Sequence, residues 1–289
     1  MTKLVDYPCL HDKFVGFEED VIRELNIPFP EGYCHGDTMA RLALAQKEKT
    51  GAAFCTLPFC HTVEGEAFGG IVNLGNGTIG PRAKEYVVQS LDEVLALSDI
   101  DFSRGRIREV LDACRRLKEQ GETVCLNISG PITVLNVLLD VKYVYKGLRK
   151  NPEVTYDVFW KIGRNLLQYV EEAKKLGVDM ISYADSAGGV NILGPKLARE
   201  VVEHFTDPFI KELSGQLEGM LLILCPKTAY ALTGCEKAEW RDVKLPEKMS
   251  YAEACAWGRD SIRITGHRCI KDSSGNYEND SIKELVLLS

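Results

Sequence analysis

The sequence predicts an α/β protein of the TIM (β/α)8 barrel type. Short apolar segments alternate with longer amphipathic segments along the chain, which is typical of βαβ units. A length of 289 residues suits one large α/β domain. No dinucleotide-binding glycine fingerprint and no phosphate-loop motif follows a predicted strand, which weakly disfavours the competing doubly wound sheet.

Composition limits the partners and the compartment. The net charge is −7 and no basic stripe occurs, which argues against nucleic acid as a partner and favours a small molecule or another protein. The first residues lack an apolar run of signal-peptide length, and nowhere do about 18 apolar residues follow one another. We therefore expect a cytoplasmic protein with no membrane span, in which most of the ten cysteines are reduced and structural.

The first predicted elements are a helix, a strand and a glycine-rich turn. Asp37 is the expected N-cap of a helix that ends at Gly51. Residues 52–57 form a buried strand that stops at a proline, and a short strand at 70–74 lies within the glycine-rich region. We expect residues 1–50 to pack as a helical and loop segment on a single barrel domain of residues 1–289.

The remaining elements continue the alternation. Helices are predicted at 104–118, from 151 to 177, at 195–217 and, closing the chain, at 280–288. Strands are predicted at 123–128, 178–183, 221–224 and near 262–264.

Polar and sulfur-containing side chains gather directly after five predicted strands. These groups lie at residues 58–66, 129–131, 184–186, 225–228 and 266–269. Because barrel enzymes place their active sites at the carboxyl ends of the strands, the five groups predict an active site at that end.

Several stretches follow one another in an order and spacing that resemble a known family. They are CHGDTMA (34–40), PFCHTVEGEAFG (58–69), ISGP (128–131), SYAD (182–185) and LGPK (193–196). At these residues the sequence resembles the uroporphyrinogen decarboxylase superfamily in its cobamide-dependent methyltransferase branch, over roughly residues 30–228.

The resemblance implies a (β/α)8 barrel that moves a methyl group from a methylated corrinoid protein to a thiol or to tetrahydrofolate. In thiol-using members of the family, zinc held by a His-x-Cys pair and a distant Cys binds the acceptor sulfur. Zinc stabilises the thiolate, so the acceptor becomes a nucleophile near neutral pH. The corrinoid is expected to arrive on a separate corrinoid protein.

The sequence departs from this zinc pattern in two places. Ile223 stands where the family has the ligand His, and the chain between Cys225 and Cys269 is shorter by about one βα unit than in the family. His267 lies two residues before Cys269, on the same side of an extended segment. Cys225, His267 and Cys269 are thus expected to rebuild a zinc site with an open fourth position.

Other residues are expected around the same pocket. Glu64 and Asp185 are candidates for shaping it and balancing charge, with the alternative that Asp185 is the N-cap of the turn that follows it. Cys60 takes the position of a catalytic Asp in the decarboxylases and is expected either to line the pocket or to act as a nucleophile. The expected cofactor-binding side chains are His35, His61, Ser129 and Tyr183.

Two other functions fit parts of the sequence. A decarboxylase acting on a tetrapyrrole needs a basic pocket, but the Arg-rich N-terminal motif is absent and Cys60 replaces the Asp. A non-catalytic barrel that binds a corrinoid or another small molecule would explain Ile223 and the missing stretch.

Overall fold

The computed structural model describes residues 4–7, 16–17, 19–271 and 279–289. The α-helices are α1 (Glu19–Leu25), α2 (Gly36–Thr50), α3 (Val63–Ala67), α4 (Leu91–Ala96), α5 (Gly105–Glu119), α6 (Pro131–Leu138), α7 (Lys142–Lys150), α8 (Pro152–Lys175), α9 (Val190–Val201), α10 (Asp207–Gln216), α11 (Pro226–Gly234) and α12 (Tyr251–Gly258). The strands are β1 (Cys55–Leu57), β2 (Ile71–Asn73), β3 (Arg82–Glu85), β4 (Val124–Ser129), β5 (Met180–Ala184), β6 (Leu221–Leu224), β7 (Ala238–Met249), β8 (Ile264–Thr265) and β9 (Asn279–Leu287).

A parallel sheet organises the described part of the chain. Its five strands follow the order β1-β4-β5-β6-β8, while β2 pairs with β3 and β7 pairs with β9 as antiparallel two-stranded sheets. Each parallel strand lies beside the one that precedes it in the chain, whereas a doubly wound sheet reverses its strand order at a switch point. The winding is therefore that of a barrel, with β1 and β8 as the edges of the described sheet instead of a closed ring of eight.

The two faces of the sheet bury different partners because side chains alternate along each strand. On β4, Val124, Leu126 and Ile128 belong to the large core that includes helices α5, α8 and α10. Cys125 faces the opposite way and belongs to a second apolar cluster. By the same alternation, Asn127 and Ser129 lie on the inner face, nearer the carboxyl end.

The second apolar cluster covers the amino-terminal half of the inner face. Its strand residues include Cys125, Met180, Leu221 and Ile223. Helix α12 and the two-stranded β7–β9 sheet cover them with Tyr251, Cys255, Leu245 and Ile282, among others. The inner face is thus apolar at its base and polar towards its carboxyl end.

The closing helix predicted at residues 280–288 is wrong, because β9 forms there. Strand β9 pairs with β7 from Ala238↔Leu287 to Lys244↔Ser281, a partnership that depends on a strand about 40 residues earlier. Ile282 and Leu285 are buried in this pairing, and Glu284 is held by the Arg241 side chain.

The other predicted elements are confirmed within a few residues, with two differences. Helix α2 begins at Gly36 with His35 as its N-cap, so the N-cap prediction for Asp37 is wrong, whereas its end at the left-handed Gly51 is confirmed. The helix predicted at 195–217 begins earlier as α9, kinks at Gly194, and continues through a π-helical turn (Val202–Thr206) into α10.

Within the described ranges, no helix is both long and apolar enough to cross a membrane.

Helix α2 packs on α5, where the Gly36 amide donates to the Glu109 carboxylate at 2.9 Å. The single-domain organisation of residues 1–289 stays a prediction.

Candidate active site at the carboxyl end of the sheet

Strand register stacks the inner-face side chains in layers. One layer contains the in-register positions Asn127, Ser182, Ile223 and Thr265. The next layer towards the carboxyl end contains Ser129 opposite Ala184. Cys225 follows β6 directly, and its amide donates to the Tyr183 carbonyl at 2.8 Å. We call this polar end of the inner face the mouth.

Three of the predicted residues meet at the mouth. His61 Nδ1 lies 3.2 Å from Ser129 Oγ. The Ser129 amide donates to Glu64 Oε1 at 2.8 Å. Glu64 therefore fixes the end of β4 from α3, and the Ser129 hydroxyl in turn orients the His61 ring.

Glu64 is fully buried and incompletely satisfied. Its Oε2 atom has no hydrogen-bond partner among the described residues, and neither has the hydroxyl of Tyr169 on α8. Burial raises the pKa of Glu64 to about 7, although the bonds from Ser129 and the charge of Arg106 oppose the rise. A buried carboxyl with this pKa exchanges its proton near neutral pH.

His61 is held neutral at the mouth. Burial, together with the charge of Lys271, lowers the pKa of His61 to about 4. A neutral imidazole offers one donor and one acceptor, one of which is already engaged by Ser129. His61 therefore acts at neutral pH through hydrogen bonding and not as a cation.

Cys60 lies in a hydrogen-bonded group beside the mouth. Arg106 of α5 donates from Nη1 to Cys60 Sγ at 3.4 Å and from Nη2 to Thr62 Oγ1 at 2.7 Å. Its Nε donates to Glu66. The Arg106 cation thus anchors the loop after β1, and Cys60 is buried within that anchor.

Asp185 caps a helix. Its Oδ1 accepts from the amide and the hydroxyl of Thr133, and its Oδ2 accepts from the Ile132 amide at 3.2 Å. These groups form the first turn of α6, where a carboxylate is favoured by the helix dipole. Burial raises the pKa of Asp185 against these bonds. Asp185 does not cap the turn that follows it with its side chain, as the alternative expectation had it, because its side chain makes no hydrogen bond to Ser186–Gly188. Its carboxylate instead holds the first turn of α6, which begins about 54 residues earlier.

Tyr183 and His35 lie apart from the His61–Ser129–Glu64 group. Tyr183 points to the outer face, is almost fully buried, and packs against Phe209 with ring centroids 5.5 Å apart. His35 is the N-cap residue of α2, and its carbonyl accepts from the Thr38 hydroxyl at 2.9 Å.

The expected zinc ligands do not fit a metal site. Within the ranges that the structure covers, no group of three or more His, Cys, Asp or Glu side chains is arranged to hold a metal ion. His267 instead packs edge-on against Tyr251 at 5.0 Å, and its Nδ1 lies 3.5 Å from Thr265 Oγ1. Burial and nearby Arg268 lower the pKa of His267 to about 4.

Ile223 fills the position of the family's ligand His with an apolar side chain. It is buried in the apolar cluster beneath the mouth. Cys225, His267 and Cys269 all lie in described residues, so the rebuilt zinc site that the sequence suggested is not formed by their arrangement.

Sequence reasoning missed two buried polar residues beside the mouth. Arg106 shares a helical face with Val110, Cys114 and Leu117, all of them buried. Tyr169 lies on the buried face of α8. A polar residue on an otherwise apolar helical face is the signal that could have identified both.

Comparison with known proteins places this architecture in a family. The sequence model of the family described as "Uroporphyrinogen decarboxylase (URO-D)" matches residues 15–268. The methylcobamide:CoM methyltransferase MtaA of Methanosarcina barkeri is 25% identical over 255 residues, which cover 86% of this chain and 74% of that protein. The methylcobamide:CoM methyltransferase MtbA of Methanosarcina acetivorans is 21% identical over 233 residues, covering 78% of this chain and 67% of that protein.

A solved structure supports the same fold. A methyltransferase from Methanosarcina mazei superposes with a TM-score of 0.66 at 22% identity, covering 77% of this chain and 66% of that one. The chain therefore spans about two thirds of that structure's length, which agrees with the five-stranded sheet.

Proposed function

Since the chain belongs to the uroporphyrinogen decarboxylase family, we propose that it transfers a methyl group from a methylated corrinoid, carried by a corrinoid protein, to a thiol acceptor. The observation that carries the proposal is the likeness to MtaA over 86% of the chain. The polar mouth at the carboxyl end of a barrel-type sheet supports it, because active sites of such folds lie there.

The chemistry sets what the mouth must do. The acceptor thiolate attacks the methyl carbon, a carbon–sulfur bond forms, and the carbon–cobalt bond breaks with both electrons remaining on cobalt. The reaction therefore needs a thiolate in line with the methyl group and little competing water. Ser129 and neutral His61 provide hydrogen bonds at this end of the sheet, while the apolar cluster that includes Ile223 lies beneath it.

Proton release from the thiol is the second requirement. Glu64 lies one hydrogen bond from Ser129, and its pKa of about 7 is close to that of a thiol. We infer that Glu64 balances the charge of the mouth as the thiolate forms. His61 and Ser129 orient the acceptor, and Cys60 lines the anchored loop beside it.

Zinc activation of the acceptor is the finer expectation, on Cys225, His267 and Cys269. The described side chains do not fit that group, because His267 is packed against Tyr251 and Ile223 replaces the ligand His. No step of the proposal passes through zinc.

An acceptor comparison tests the proposal. The purified protein is mixed with methylcobalamin and either 2-mercaptoethanesulfonate or tetrahydrofolate, and loss of the methylcobalamin absorbance is followed anaerobically. We expect turnover with the thiol, as the names of the Methanosarcina methyltransferases indicate for those proteins. Turnover with tetrahydrofolate alone would replace the thiol by the folate as acceptor.

The same experiment tests one of the two rival functions, and the structure bears on the other. No turnover with either acceptor, together with binding of the corrinoid, would favour a non-catalytic corrinoid-binding barrel. A tetrapyrrole decarboxylase is disfavoured because the group around Cys60 has its one buried cation, Arg106, already engaged by Glu66 and Thr62.

A further inference from the structure

Two buried polar atoms beside the mouth have no hydrogen-bond partner among the described residues. They are Oε2 of Glu64 on α3 and the hydroxyl oxygen of Tyr169 on α8. Both side chains are fully buried, so neither atom reaches bulk solvent. Buried polar groups are nearly always hydrogen-bonded, either to protein or to ordered water. Each of the two atoms therefore calls for a partner.

The packing of the helices brings the two side chains into one region. Helix α3 packs against α5 and α6, and α8 packs against the same two helices. Burial raises the pKa of Tyr169 well above its ordinary value, and the charge of Glu64 is the next cause. Cys60 and Arg106, from the group beside the mouth, act on the same hydroxyl. Tyr169 thus lies near Glu64, although no direct hydrogen bond joins them.

The Tyr169 hydroxyl is a donor that is held in place. Its ring stacks on Phe102 with centroids 5.6 Å apart and planes inclined by 18°. Because its pKa is raised, the hydroxyl keeps its proton at neutral pH. An ionised carboxylate, by contrast, can only accept hydrogen bonds. A single water accepts from Tyr169 and donates to Glu64, so one molecule satisfies both atoms.

Other ionisable side chains surround the pair on α3, α5 and the loop after β1. They are Cys60, His61, Glu66, Arg106 and Cys114. His61 is neutral, and burial raises the pKa of Cys114 to about 12, so its thiol is neutral too. Arg106 is the cation of the group, and its guanidinium already donates to Glu66 and Thr62. Helix α6 has no ionisable side chain. Among these described groups, Tyr169 is the donor that remains for a charge on Glu64 Oε2.

We propose that one buried water bridges the Tyr169 hydroxyl and Glu64 Oε2, and that Tyr169 is a positioning residue that stabilises the ionised form of Glu64 through this water. The hydroxyl donates to the water and the water donates to Oε2, so the bridge favours the carboxylate over the carboxyl group. Charge balance at the mouth requires Glu64 to be ionised before the acceptor thiolate forms and protonated after it. That use of Glu64 rests on the proposed function, whereas the bridge itself does not.

The titration of Glu64 tests the bridge without turnover. The infrared band of the protonated Glu64 carboxyl is followed with pH in the parent protein, Tyr169→Phe and Tyr156→Phe, each measured against the same protein carrying Glu64→Gln. Phenylalanine keeps the ring on Phe102 and removes only the hydroxyl. Tyr156 is half-buried on the same helix α8, so its variant is the matched control. We expect the pKa of Glu64 to rise by about one unit or more in Tyr169→Phe, since a hydrogen bond to a charged group is lost, and to stay unchanged in Tyr156→Phe.

Stability gives an independent measurement of the same coupling. The raised pKa of Glu64 in Tyr169→Phe means that this variant goes on losing stability above about pH 7, where the parent has already levelled off. The cost of Tyr169→Phe in urea unfolding should therefore grow as pH rises from about 7 to about 8. In the Glu64→Gln background the same cost should not depend on pH, because nothing at that position ionises.

Three results would overturn the bridge. One is an unchanged pKa of Glu64 in Tyr169→Phe, or an equal rise in Tyr156→Phe. Another is a cost of Tyr169→Phe with the same pH dependence in both backgrounds. The third is a high-resolution crystal structure of the parent protein with no water between Tyr169 and Glu64, which tests the bridge even if a variant fails to fold.

Methyl transfer links the bridge to the proposed function. The pH dependence of kcat/KM for 2-mercaptoethanesulfonate is measured with methylcobalamin. We expect its acidic limb to move by about one unit to higher pH in Tyr169→Phe and not in Tyr156→Phe. A limb that stays in place while the infrared titration shifts would overturn the positioning role. No turnover with any thiol would count against the proposed function, whereas a raised pKa of Glu64 in Tyr169→Phe would still support the bridge.

Discussion

Glu64 is an ionisable residue that lies in a fully buried environment. A carboxyl group with no exposure and one oxygen without a described partner is costly when ionised. The other oxygen of Glu64 accepts a hydrogen bond from the Ser129 amide at the end of β4, which offsets part of this cost. A structural anchor and a proton site are thus combined in one side chain.

Glu64→Gln should change how stability depends on pH. The pKa of Glu64 is about 7 in the folded protein and about 4.3 when unfolded, so the unfolded chain binds fewer protons between these values. In the parent protein this group therefore costs stability as pH rises, by about 4 kcal/mol at most. Glutamine does not ionise, so we expect the variant to gain on the parent between about pH 4 and about pH 7 in urea unfolding.

Glu153→Gln on the exposed start of α8 is the control, and its curve should run parallel to that of the parent. Parallel curves for Glu64→Gln would contradict the buried, raised-pKa state of Glu64.

The sequence identified several residues of the site, but it predicted less well where their side chains would lie. His61, Ser129 and Glu64 were predicted from strand-end clustering and meet in the structure, because all three follow parallel strands at one end of the sheet. Tyr183 was assigned to the same pocket but faces the opposite side, since side chains alternate along β5. Arg106 and Tyr169 reach the mouth from helices, which no strand-end pattern reveals.

Among the elements, α6 depends on a close approach between two strand-end loops. A Cβ on Gly130 would lie 2.4 Å from Asp185 Cβ and 2.5 Å from the Tyr183 hydroxyl. Only a glycine lets β4 turn into α6 against these groups. The contact is also what brings the Asp185 carboxylate to the first turn of α6.

Gly130→Ala should therefore destabilise the protein by about 1–3 kcal/mol through overpacking. Gly215→Ala is the matched control, because a Cβ there meets nothing within 4 Å on helix α10. That control should be neutral or stabilise by up to about 1 kcal/mol. The measurement is the free energy of unfolding in urea, and equal effects of the two substitutions would refute the close-packing account of Gly130.

The elements that sequence patterns missed are those that depend on distant partners. Parallel strands such as β5 and β6 are continuous apolar runs and were predicted, because both of their faces are buried. Strand β9 reads as helix locally, and only its pairing with β7 makes it a strand. The zinc site was likewise inferred from local spacing, and the described side chains do not form a group that could hold a metal ion, since His267 lies beside Thr265.

The whole molecule is a barrel-type sheet whose inner face is completed by other elements. Five parallel strands provide the mouth, and α12 with the two-stranded β7–β9 sheet covers the apolar base that further strands would enclose in a full barrel. His61, Ser129 and Glu64 lie together at the carboxyl end of the strands.

Direct transfer of a labelled methyl group tests the central claim most closely. The protein is incubated anaerobically with methylcobalamin carrying a 13C-labelled methyl group and with 2-mercaptoethanesulfonate, and the products are examined by 13C NMR. We predict that the label moves to the thiol sulfur as a methyl thioether at a rate proportional to protein concentration, while cobalamin accumulates in its Co(I) form. Label that stays on cobalt, or that moves no faster than without the protein, would contradict the account.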